Sequence, residues 1–108
     1  MDAAEFETLA EETLENLFDS VEDMLGLDED ADFAHGILNI ELGDGRKYVI
    51  NKNSASQEIW VSSPVSGASH YAFDADSGDW LNTRGGGNLV ETLSTELSRL
   101  TGNTVSLG

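Results

Sequence analysis

From Asp2 to about Leu25 the positions Phe6, Leu9, Thr13, Leu17, Val21 and Met24 recur at steps of three and four, with Leu14, Phe18 and Leu25 widening the stripe. That period predicts a long amphipathic helix. Asp2 is placed to cap it, with Glu5 three residues on, and Gly26 to stop it. The period then drops to two. Leu27–Asp32 reads as a loop running into a strand, and Phe33-Ala34 and Ile37–Leu42 alternate around a His35-Gly36 turn. After the Gly43-Asp44-Gly45 turn, Lys47–Lys52 and Gln57–Ser62 predict an antiparallel hairpin around the polar loop Asn53–Ser56.

Alternation sorts the hairpin side chains. If Tyr48, Ile50, Ile59 and Val61 face a core, Asn51 and Trp60 share the outer face. A large aromatic is seldom left outside, whereas partner surfaces favour Trp. Two readings stay open: Trp60 is a contact for a partner, or a loop or second layer covers it.

Further on, Ser63–Ser69 is a loop with the chain's one proline, Pro64. His70–Phe73 is a short strand with Tyr71 and Phe73 inward and His70 outward, and Asp79–Asn82 is another, with Trp80 buried. Arg84–Gly87 is flexible backbone without the spacing of a phosphate loop. Asn88 caps a second helix with Glu91 at its third position, the stripe Leu89, Leu93, Leu97 and Leu100 and a stop at Gly102; Thr104–Leu107 should lie against the helices. Helix, strands, helix in that order predicts an α+β protein. It should be a single domain over 1–108, a two-layer α/β sandwich with two terminal helices packed on one face of an antiparallel β-sheet. The other face would carry Asn51, Trp60 and His70.

Charge changes the picture. The chain has 21 acids against 5 bases, a net charge of −16, and no cysteine. Thiolate chemistry and sulfur ligation are excluded. Fifteen acids lie at or before Asp44 and no Lys or Arg precedes Arg46, while Gly45–Gly108 holds six acids and five bases. The segregation argues against nucleic acid and anionic membranes as partners, and for cations or a basic protein patch. Neither a membrane-spanning apolar run nor a signal-peptide pattern is expected.

The acids Glu7, Glu11, Glu15, Asp19, Glu22 and Asp23 follow the helical period on one face, with Glu12 beside them. Like charges four residues apart cost ~0.2–0.5 kcal/mol each, so Glu7/Glu11, Glu11/Glu15, Glu15/Asp19 and Asp19/Asp23 cost on the order of 1–2 kcal/mol together. Carboxylates suit hard cations such as Fe, Mn, Ca or Mg, and here they are spaced to share ions at a surface rather than to enclose one. The sequence has no Glu-x-x-His pair of the di-iron bundle type and no calcium-loop pattern. His35 reads as a turn histidine rather than an iron ligand. Ser69 and His70 are neighbours on a strand and point to opposite faces, so no catalytic constellation is visible.

LAEETLENLFDSVEDML, ILNIEL followed by YVINK, EIWVSSPVSG with HYAFD, and DW leading to a terminal helix and TVSL together resemble the frataxin family, whose bacterial members are the CyaY-type proteins. The resemblance covers nearly the whole chain. It implies the same sandwich fold, low-affinity iron binding (Fe2+/Fe3+ at surface carboxylates), and a part in iron–sulfur cluster assembly as an iron chaperone or regulator. The implied partners are a cysteine desulfurase and an iron–sulfur scaffold protein. Position by position, the family's acidic ridge falls on Glu11, Glu12, Glu15, Asp19, Glu22 and Asp23, with Asp28 and Asp30 entering the first strand. Its sheet-surface contacts fall on Asn51 and Trp60. His70 stands where eukaryotic relatives often have Arg, which implies a cationic contact to the partner that is pH-dependent or absent here, and Glu58 stands where the family usually has Gln, which makes that rim more acidic. The resemblance implies a non-enzymatic role, with ferroxidase or iron-storage activity as the alternative. The expected location is the cytoplasm for a bacterial chain and the mitochondrial matrix for a processed eukaryotic one.

Overall fold

The computed structural model describes residues 1–24 and 29–107. Helix α1 spans Ala3–Met24. It is followed by β1 (Asp30–Ala34), β2 (Ile37–Glu41), β3 (Lys47–Asn53), β4 (Glu58–Ser63), β5 (Gly67–Asp74), β6 (Asp79–Asn82) and helix α2 (Leu89–Thr101). The strands form one antiparallel sheet of six in chain order, each hydrogen-bonded only to its sequence neighbours. Both helices pack on the same face, as the half-apolar strands require.

Capping sets where the helices begin. Asp2 accepts a 2.8 Å hydrogen bond from the Glu5 amide, and Asn88 accepts one of 2.9 Å from the Glu91 amide. Gly102, at φ 73°, closes α2 in the left-handed conformation that a residue with a Cβ adopts reluctantly. The C-terminal tail returns onto α2, with Val105 and Leu107 buried and their amides donating to Ser98 Oγ and Ser94 Oγ. Gly26 and Leu25 lie outside the described residues.

The core is Phe6, Ala10, Leu14, Leu17 and Val21 of α1 against Leu38, Ile40, Tyr48, Ile50, Ile59, Val61, Tyr71 and Trp80 of the sheet, with Leu89, Leu93 and Leu97 of α2. Met24, expected in the stripe, is exposed, and Ala10 is buried instead. A small side chain carries little periodic signal, yet it lets the helix lie close to the sheet. Trp80 stands against the edges of Phe6 and Phe73, and its indole N–H donates to Thr13 Oγ1 at 2.9 Å. That bond explains how a threonine fits into the stripe.

Two connections differ from expectation. β4 runs through Ser63 and β5 begins at Gly67, so the long loop over Ser63–Ser69 shrinks to 64–66. Ser63 Oγ accepts from the amides of Val65 and Ser66 and folds the chain into a tight turn. In the other hairpin Asn53 ends β3, and its side chain accepts from the Ser56 amide and hydroxyl. Gln57 then sits at φ 55°, so it belongs to the turn rather than the strand.

Candidate functional site

The exposed side of α1 follows from its buried side. With Phe6, Ala10, Leu14, Leu17 and Val21 against the sheet, the 3.6-residue period turns Glu11, Glu12, Glu15, Asp19, Glu22 and Asp23 to solvent, and all of them are exposed. The expected ridge residues on this helix therefore share one surface. Asp28 lies outside the described residues. Asp30 opens β1, exposed and directly opposite Glu41. Ala31 and Phe33 turn toward the core and Phe33 meets Phe18 of α1, so alternation places Asp30 on the sheet face away from α1.

Neither end of α1 is electrostatically like the other. Near its start, Lys52 Nζ lies 2.5 Å from Glu7 Oε2 and 3.2 Å from Glu11 Oε2, and the Ser54 hydroxyl donates to Glu7 Oε1. The Lys52 contact, with Ser54 second, holds the Glu7 carboxyl below the usual carboxylate range. Of the four repulsive pairs expected along the helix, Glu7/Glu11 thus has an ammonium between its members. Beyond Glu11 the situation changes: among the described residues Glu15, Asp19 and Asp23 make no salt bridge. No three His, Cys, Asp or Glu side chains converge among the described residues. The donor set fits hard cations held loosely at a surface, with water completing their coordination.

The opposite sheet face carries a different array. Strand register places Ile37, Asn51, Trp60 and His70 directly beside one another across β2, β3, β4 and β5. Asn51, Trp60 and His70 were expected on this face, and they are neighbours. Trp60 is half-buried, and its indole is covered on one side by a neighbour in its own sheet. Its indole stacks on the His70 imidazole with ring centroids 4.4 Å apart and planes 9° from parallel. Glu58, on the same face two residues before, accepts the Trp60 indole N–H at 2.9 Å, and its Oε1 lies 3.6 Å from His70 Nδ1. The stacked rings form a flat aromatic surface on this face. Ile37, 40% exposed, extends the row and was missed; only the register of β2 on β3 reveals it.

Glu96 carries no signal in the sequence pattern. It sits in α2 between the leucines of the apolar stripe and is 9% exposed. Three hydroxyls donate to it: Tyr48 and Ser63 to Oε1, each at 2.7 Å, and Ser66 to Oε2 at 2.8 Å. Burial, and then the bond to Glu96, push the Tyr48 phenol well above its ordinary value. The network ties the β4–β5 turn and the start of β3 to α2.

Comparison with known proteins agrees with this architecture. The model of the frataxin-like domain family matches residues 1–103. An iron–sulfur cluster assembly protein CyaY from Thioalkalivibrio sulfidiphilus is 40% identical over 103 residues, covering 94% of this chain and 95% of that one. A mitochondrial frataxin homolog from Schizosaccharomyces pombe is 40% identical over 99 residues; the match takes in 88% of this chain but only 63% of the longer fission-yeast protein. Among solved structures, the frataxin of Psychromonas ingrahamii superposes with a TM-score of 0.87 at 24% identity, over 100% of this chain and 99% of its own. Trimeric frataxin from Saccharomyces cerevisiae complexed with ferrous iron superposes with a TM-score of 0.75 at 31% identity, over 84% and 83%. Sequence, sheet order and the packing of both helices on one face converge, and the chain belongs to the frataxin family.

Proposed function

We propose that this protein is a low-affinity iron-binding component of iron–sulfur cluster assembly, an iron chaperone that also tunes a cysteine desulfurase–scaffold complex. The observation that carries the reading is the division of labour between its layers. Exposed carboxylates line one helix, those from Glu15 to Asp23 without a salt bridge among the described residues, and a stacked Trp60–His70 pair beside Asn51 lies on the opposite face of the sheet. Iron is the cargo of the first surface and the protein complex the partner of the second. The CyaY relative is named for iron–sulfur cluster assembly, and the yeast relative was solved with ferrous iron; both support this assignment.

The metal ligands in this reading are Glu11, Glu12, Glu15, Asp19, Glu22 and Asp23, with Asp28 and Asp30 at the chain's passage into β1. Exposed carboxylates exchange water and metal readily, so affinity is weak and release easy. The negative helix also fits a basic groove on the desulfurase and speeds encounter in a salt-sensitive way. Neither nucleic acid nor a membrane surface suits a chain of net charge −16, and no helix among the described residues is long and apolar enough to cross a membrane. The location that fits is the cytoplasm in a bacterium, or the mitochondrial matrix for a eukaryotic chain.

The test is a titration of purified desulfurase–scaffold complex with this protein, with and without Fe2+, following cluster formation. A saturable, iron-dependent change in rate is expected. An unchanged rate at saturating protein would overturn the proposal. Ferroxidase or storage activity on the ridge is the second reading, favoured by the same row of carboxylates. Open coordination gives little control over a redox step. Oxygen consumed per Fe2+, with the ridge acids intact and neutralised, separates the two.

A further inference from the structure

We infer that Lys52 is the acidic helix's resident counter-cation: it occupies the Glu7–Glu11 end and confines exchangeable metal ions to the stretch from Glu15 to Asp23. The inference deepens the reading of α1 as an iron surface and rests on it only for the identity of the metal.

The geometry of Lys52 is that of a fitted part. Lys52 lies opposite Ile59, a core residue, so strand alternation turns its side chain to the helix face while Asn51 faces the other way. Its stem crosses the β1–β2 turn over Gly36, where a Cβ would fall 2.9 Å from Lys52 Cε. Gly36, at φ 73°, leaves the slot through which the stem passes. At the far end Nζ is shared by Glu7 and Glu11, one helical turn apart, and the Ser54 hydroxyl fixes the remaining Glu7 oxygen. Only 21% of the side chain is exposed.

The ammonium therefore stands where a metal bridging Glu7 and Glu11 would have to stand. An arriving divalent ion must either expel a lysine held at both ends or sit beside a like charge with little water between them. One turn further along, Glu15 begins a stretch with no such occupant among the described residues. Counting carboxylates on α1 thus overstates the room for metal, and Glu11 is a poorer ligand than its position on the ridge suggests.

The test uses the full chain and Mn2+, which prefers oxygen ligands, with broadening of the side-chain carboxylate carbon signals as the readout. In the wild type at substoichiometric Mn2+, signals of Glu15, Asp19 and Asp23 should broaden well before those of Glu7 and Glu11. Lys52→Met keeps a stem over Gly36 and removes the charge. It should bring Glu7 and Glu11 into the broadened set, with apparent affinity there up roughly tenfold. Lys52→Arg keeps the charge and should retain the wild-type order. Lys52→Gln is the second neutral variant should the Met variant fold poorly. Equal broadening of Glu7 and Glu15 in the wild type, or an unchanged order in a folded neutral variant, would overturn the inference. Gain at Glu7 and Glu11 in the variant, with none anywhere on α1 in the wild type, would instead sink the ridge reading and leave the role of Lys52 standing.

Discussion

The indole of Trp60 and the imidazole of His70 lie face to face across β4 and β5, 4.4 Å between centroids and 9° between planes. Each ring shields one face of the other, and Glu58 holds the indole edge at 2.9 Å. Trp60→Ala removes the platform without touching a carboxylate. The expected loss of stability is about 1–2 kcal/mol, well below the ~3–5 kcal/mol of a fully buried Trp. Binding of metal by α1 should be unchanged, while affinity for the desulfurase–scaffold complex should fall at least tenfold, as for an interface anchor. Thermal unfolding and a binding titration on the same preparation check this. A stable variant that binds normally would show that the face contacts something else.

Neutralising two ridge residues should stabilise the protein. Glu15→Gln with Asp19→Asn removes the like-charge pairs Glu11/Glu15, Glu15/Asp19 and Asp19/Asp23 and breaks no ion pair among the described residues. A gain of roughly 0.5–1.5 kcal/mol at low salt is expected, shrinking as salt is added. Glu7→Gln should act in the opposite direction, because it takes a charged partner from Lys52 and Ser54. Paired melting curves at low and high salt distinguish the two ends of the helix.

Glu96 should be the costliest acid to remove. Glu96→Ala leaves the hydroxyls of Tyr48, Ser63 and Ser66 without their acceptor and opens a void beside α2. A loss of about 2–4 kcal/mol is expected by urea unfolding, and a double-mutant cycle with Tyr48→Phe should show strong coupling. Additive losses would mean the hydroxyls find other acceptors.

Tyr48 also predicts the alkaline limit of stability. Its phenol is raised in the folded state, so the unfolded chain ionises first. The contribution is complete below the ordinary phenol value of about 10 and is lost as pH rises toward and through the folded value. Glu7 is the mirror case at acid pH. Its carboxyl is depressed, so its contribution is present above the ordinary value of about 4.3 and is lost as pH falls through the folded one. Tyr48→Phe should flatten the alkaline arm of a stability-against-pH curve, and Glu7→Gln the acid arm.

Much of this was legible in the sequence because it is local. Alternation in YVINK and EIWVS assigned Tyr48, Ile50, Ile59 and Val61 to the core, and helical period turned the acids of α1 outward. What escaped joins distant parts of the chain. Lys52 meets Glu11 across 41 positions, and Glu96 meets Tyr48 across 48. A lone acid in a leucine stripe looks like a solvent position until the hydroxyls of β3 and the β4–β5 turn are placed around it. His70 against Trp60 depends on the register of β4 on β5, which the tight turn after Ser63 sets; a longer loop there leaves the pairing undetermined.

Because β1 through β6 pair only with their neighbours in the chain, every ladder closes a short loop, and the sheet can assemble by successive hairpins at little entropic cost. The two helices, at opposite ends of the chain, bring the costlier long-range step. Alone, α1 repels itself and has nothing to cover its stripe, so its helical state waits on docking against Trp80 and Leu38. Anything that quenches the repulsion, whether salt or a bound cation, should lower the barrier to that step and so quicken folding rather than merely slow unfolding. The availability of metal ions would then bear on how fast a newly made chain reaches its native form.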